Sequence, residues 1–152
     1  MQQDFGDSTL ECRRVVTTVV FYDGVCGLCD HFLRFLIRRD RRQRLAFAPL
    51  QGTLAQTVLV PRGIVPSDLD SMYVIADWHT PSERLLNRSR AIGHTLRQLG
   101  GVWRLAARGA SVLPASLADR VYDFVAVRRY RTFGRFDTCP IPPPEWRDRF
   151  LE

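Results

Sequence analysis

Residues 15–22 read VVTTVVFY, an unbroken run of β-branched and aromatic side chains. A run without polar alternation predicts a central strand buried on both faces, which places helices on both sides of a sheet. Asp23-Gly24 breaks it, and from Cys29 apolar residues recur at Phe32, Leu33, Leu36 and Ile37 with helical spacing. LAFAP at 45–49 predicts a second strand, and residues 53–60 a short helix closed by Pro61 and Gly63. Residues 72–76 predict a third strand, and 83–86 a fourth, paired back through the turn DWHTP as a hairpin. Ser89 opens a helix carrying Ile92, Leu96 and Leu99, stopped by Gly100-Gly101. The first three strands alternate with helices, so a small mixed sheet with parallel crossovers is expected.

Downstream the chain reads as helical. A short helix covers 102–108, with Trp103 and Leu105. A longer one covers 116–131, with Leu117, Val121, Phe124 and Val125 on one face and Phe133-Gly134 at its end. The tail CPIPPPEWRDRF is too rich in proline for a helix before Glu145. No internal repeat or linker divides the chain. The expected division is a flexible tail at 1–14 and one domain at 15–152, made of a sheet core (15–101) and a helical extension with a Pro-rich tail (102–152).

At 152 residues the chain can bury a core. No apolar run approaches the ~20 residues that span a bilayer, so no membrane span is expected. The N-terminus MQQDFGDSTLECRR lacks an apolar signal core, and the cytoplasm is the expected compartment. The net charge is +6, carried by 22 basic residues that are all arginine. The densest run, Arg38, Arg39, Arg41, Arg42 and Arg44, falls where the first helix ends, and cations there suit the helix dipole. No aromatic side chains interleave with it. A solvated helix end is expected, and no nucleic-acid partner.

Four cysteines are present, Cys12, Cys26, Cys29 and Cys139. A close pair with two scattered residues suits redox or metal chemistry better than a disulfide framework. Cys26 and Cys29 are three apart at a strand–helix junction. The unpaired N–H groups and dipole of a helix start favour thiolate, and can bring a cysteine from ~8.5 into the ~3.5–7.5 range. Cys26 is then the attacking nucleophile and the more exposed of the two. Cys29, one turn inward, is the resolving thiol. Gly24 and Gly27 are expected to admit another chain's backbone. Gly27 and Leu28, between the cysteines, tune the potential in such a site. Asp23 either accepts or relays the proton of Cys29 or caps the loop or helix start. Ser89 is expected as a helix N-cap, with a site role as the alternative. Cys139 is read as a small packed residue or a third redox thiol, and Cys12 as an incidental tail thiol. Arg120, Tyr122, Arg129, Tyr130 and Arg131 either line a groove or form a solvated helix face. A zinc site would need a second ligand pair; only Cys139 and the scattered His31, His79 and His94 are available. No metal is therefore assigned.

The chain resembles the DCC family (DUF393, YuxK-like) of predicted thiol–disulfide oxidoreductases. The resemblance runs over about residues 19–151 and rests on FYDGVCGLC, FAPLQ at 47–51, SRAIGHTLRQLGG at 89–101 and LADRVYDFVAVRRYRTFGRFDTCPIPPPEWRDRF at 117–150. It implies an α/β, thioredoxin-like fold: a mixed four-stranded sheet with flanking helices and a helical C-terminal extension. It implies thiol–disulfide exchange with a protein or low-molecular-weight thiol or disulfide as substrate, a separate redox partner, and no bound cofactor beyond the dithiol. A non-enzymatic thioredoxin-like interaction module, or a small zinc protein using the same cysteines, is the alternative. Thioredoxins place a cis-proline before the third core strand. Here Asp70-Ser71 stands there, and the nearest proline is Pro66.

Overall fold

A computed structural model describes residues 15–67 and 71–151. The expected flexible tail at 1–14, Cys12 and Asp70 lie outside these. The first strand, β1, is Thr18–Tyr22, three residues shorter than the apolar run predicts. It is followed by α1 (Gly27–Arg39), β2 (Leu45–Pro49), α2 (Thr53–Leu59), β3 (Tyr73–Ala76), β4 (Arg84–Asn87), α3 (Arg88–Leu99), α4 (Gly101–Ala110) and α5 (Ala115–Phe133). A 3-10 helix, Pro144–Arg149, comes last. The described strands form one sheet in the order β2-β1-β3-β4. Among the described residues no helix is long and apolar enough to cross a membrane.

β1 is central, and all five of its residues are buried. Its alternation sends Val20 and Tyr22 to one face, with Leu33, Leu36 and Ile37 of α1 and Ala91 of α3. Val19 and Phe21 go to the other, with Ala55 and Leu59 of α2. A parallel crossover joins β1 to β2, with Val20 opposite Phe47. The second expected crossover does not occur, because β3 runs antiparallel to β1. At seven residues α2 spans only about 10 Å, too little to carry the chain back along the sheet. Gly63, at φ 76°, then turns the chain. β3 and β4 pair as the expected hairpin. The architecture is α/β and consistent with a thioredoxin-like fold.

Leu117, Val121, Phe124 and Val125 are 41–59% exposed, and the one buried side chain that α5 offers is Arg129. α5 packs against α1 and α3, which aims its C-terminal end at the loop before α1. The tail then returns across the molecule. Phe136 N–H donates to Val25 O at 2.8 Å, and Leu151 N–H donates to Phe47 O at 2.7 Å, so its far end pairs with the edge strand β2. Arg149 fastens it: Nε donates to Leu45 O at 2.9 Å, and Nη2 meets the buried Asp40 carboxylate at 2.5 Å.

Candidate active site

Cys26 is the N-cap of α1, with extended backbone (φ −86°, ψ 120°), and its Sγ accepts from Cys29 N–H at 3.3 Å. The turn that sets this up closes through Cys26 N–H to Asp23 O at 3.3 Å. A sulfur in the N-cap position faces the unpaired amides of the helix start. The hydrogen bond from the Cys29 thiol brings Cys26 down to about 7; Cys29 N–H and the Arg129 cation add to this, while burial and the Asp23 charge oppose it. The same bond, with burial, holds the Cys29 thiol far above the ordinary cysteine range. The pair thus divides its labour: one sulfur favours the thiolate and the other keeps its proton.

Asp23 sits beneath the pair, 3% exposed. Its Oδ1 accepts from Val25 N–H at 3.1 Å and from Gln51 Nε2 at 2.9 Å. Gln51 Oε1 in turn accepts from Gly24 N–H at 3.1 Å. Tyr130 O–H donates to Asp23 Oδ2, and Arg129 Nη2 lies 3.7 Å from that oxygen. Burial, followed by the bond to Asp23, pushes the Tyr130 hydroxyl up, so it remains a donor. Asp23 therefore both braces the loop and places a negative charge that raises both thiols.

The tail corrects two expectations. Cys26 is not the more exposed thiol: it is 0% accessible, while Cys29 is half-buried. The cover is main chain. Gly27 N–H donates to Gly134 O at 3.2 Å, and Cys26 forms a bridge with Arg135. A Cβ on Gly27 would lie 2.2 Å from Phe133 O, and one on Gly24 would lie 2.6 Å from Cys139 Sγ. Gly27 admits the chain's own backbone, and Gly24 admits the chain's own Cys139 side chain. Cys139 is thereby drawn against the loop at Gly24. Burial raises its thiol, although a hydrogen bond with Tyr22 opposes the shift.

Ser89 is not an N-cap. Asn87 holds that position in α3, and Ser89 O–H donates to Asp119 Oδ1 of α5. Arg120 and Arg131 are exposed, as a solvated face requires, but Arg129 is buried on the same helix. Arg129 and Tyr130, expected from the sequence only as groove lining or helix face, and Gln51, given no role there, join Asp23 at the site. The Arg-Tyr repeat on α5 and the glutamine of FAPLQ were the available signals. Leu28, Cys29, Ser89, Tyr122 and Arg129 all border one apolar cavity of about 890 Å³ between α1, α3 and α5. Among the described residues no three His, Cys, Asp or Glu side chains are grouped to hold a metal ion.

Comparison with known proteins points the same way. A family model described as DCC1-like thiol-disulfide oxidoreductase matches residues 20–135. The uncharacterised protein YuxK of Bacillus subtilis is 33% identical over 139 residues, 91% of this chain and 97% of the relative. A chloroplastic DCC family protein of Arabidopsis thaliana is 27% identical over 123 residues, 81% of this chain and 69% of the relative. No solved structure matches the chain.

Proposed function

The chain belongs to the DCC1-like thiol-disulfide oxidoreductase family, and on that footing we propose that it is an enzyme exchanging disulfides through Cys26 and Cys29. The observation that carries this reading is the sulfur N-cap: Cys26 Sγ rests on Cys29 N–H at the start of α1. That placement suits a thiolate nucleophile with a protonated neighbour one turn away.

The steps follow from it. Cys26 thiolate attacks one sulfur of a substrate disulfide, the substrate S–S bond breaks, and its distal sulfur leaves as thiolate. Cys29 then loses its proton, with Asp23 as the nearby acceptor, and attacks Cys26 Sγ. The second substrate sulfur leaves as thiolate, so the two electrons of the pair end on the two substrate sulfurs and the Cys26–Cys29 disulfide remains as the oxidised form. A thiol or another dithiol protein returns it to the reduced state. Arg129 stabilises the thiolate. Tyr130 and Gln51 are positioning residues that hold Asp23. The dithiol itself carries the electrons, so no bound cofactor is needed for these steps.

A trapping experiment tests the assignment of roles. In a Cys29→Ser variant the second step is blocked, so Cys26 is expected to accumulate a mixed disulfide with oxidised glutathione, located by mass spectrometry. An adduct on Cys139 instead, or equal trapping by Cys26→Ser, would assign the nucleophile elsewhere.

A further inference from the structure

The two faces of the cysteine pair differ. Over Cys26 lies the main chain of residues 133–135, which buries its sulfur. Beside Cys29 lies the cavity of about 890 Å³, within the range of small-molecule sites. Its wall is mostly apolar, with Leu28, Phe32, Leu33, Tyr122 and Val125 among the residues that line it. Cys26 is not in that wall. The large apolar lining residues that remain exposed, Leu113, Val121 and Val125, belong to α5 and the turn before it. The cavity therefore opens on that side, and the exposed stripe of α5 borders its mouth.

Two polar groups converge near the thiol. Arg129 supplies a cation, and Tyr122 a phenol whose oxygen accepts from Met72 N–H at 2.8 Å and whose hydrogen can be donated. An apolar molecule that meets a redox thiol, a cation and a phenolic donor is matched by one common chemistry. A quinone is a flat, apolar two-electron acceptor whose carbonyl oxygens gain negative charge on reduction, which a cation and a donor stabilise.

We propose that this cavity binds an apolar quinone and that the quinone oxidises the Cys26–Cys29 pair through Cys29. The inference rests on the exchange reading above and names an oxidant for it. The step balances: the Sγ–Sγ bond forms, the S–H bond of Cys29 breaks, and two electrons pass to the quinone. One proton comes from Cys29 and one from solvent, so Cys26 thiolate, Cys29 thiol, quinone and a proton give disulfide and hydroquinone.

The test uses the reduced full chain without oxygen and decylubiquinone, whose fully substituted ring resists addition of free thiols. Quinone loss is followed by its ultraviolet absorbance. The expected result is saturable reduction with one quinol formed per protein, abolished by Cys29→Ser. Val125→Trp and Ala118→Phe, which fill the cavity away from the thiols, should slow quinone reduction about tenfold or more while oxidation by 2-hydroxyethyl disulfide is unchanged. Oxidation by that disulfide with no saturable quinone reduction overturns the quinone proposal and leaves the exchange reading standing. Oxidation by neither overturns both. Quinone reduction that is linear in concentration in the unmodified chain, or unaffected by both variants, overturns the cavity as its site.

Discussion

Cys26 and Cys29 act as one titrating unit, because each holds the other's protonation state through their hydrogen bond. With Cys26 lowered to about 7, the thiolate is present above that pH and is lost as pH falls through it. Its absorbance near 240 nm should show one thiolate per pair with a midpoint near 7, and below that the thiolate fraction falls about tenfold per pH unit. Two buried charges bracket this value in opposite senses. Arg129→Gln removes a cation, so the midpoint should rise; Asp23→Asn removes an anion, so it should fall. Shifts of the same sign in both variants would show that packing, not charge, sets the thiol. This electrostatic frame was only half legible in the sequence. Asp23 announces itself by adjacency to the pair. Arg129 and Tyr130 lie more than a hundred residues away, and helical periodicity reveals which residues share a face but not what that face meets.

At the scale of elements, strand, turn and helix around the cysteines were readable because each carries its own signal. The β-branched run, the Asp-Gly break and the apolar stripe are local features, and β1 and α1 follow them. The direction of β3 was not readable, since it depends on how far α2 carries the chain. The strap at 133–136 was not readable either: a segment between a helix end and a proline cluster has no periodicity to fix what it covers. Gly27 shows what it does cover. With Phe133 O only 2.2 Å from a Cβ there, Gly27→Ala should push the strap away. Overpacking of this kind costs about 1–3 kcal/mol, read as a lower urea midpoint. The same variant should make Cys26 react faster with iodoacetamide, because its cover is displaced. Loss of stability with unchanged alkylation would mean that the strap does not control access to Cys26.

For the whole molecule, the tail is what joins the two ends of the architecture. It crosses the cysteine pair, passes Cys139 through Pro140 and Pro142-Pro143, and pairs with the outer edge of the sheet. Covering β2 in this way also removes an open strand edge. Its anchor is the ion pair of Arg149 with Asp40, 7% and 1% exposed at their side chains. Removing one partner leaves the other charge buried, so Arg149→Ala should cost about 3–5 kcal/mol in urea unfolding. A cost under about 1 kcal/mol, the ordinary worth of a surface pair, would show the anchor to be dispensable. The helical extension thus supplies the site with Arg129, Tyr130 and its cover, and these contributions reach a thioredoxin-like core from beyond the sheet. The exchange mechanism requires Cys26 and Cys29 to form a reversible two-electron couple. Equilibrating the protein across a series of dithiothreitol poises and mapping the disulfide by mass spectrometry tests it most directly. A single two-electron transition is expected, about 30 mV per tenfold change in ratio, with the bond mapped to Cys26–Cys29 and lost in either serine variant. No reversible transition, or a disulfide that maps to Cys139 in place of that pair, would contradict it.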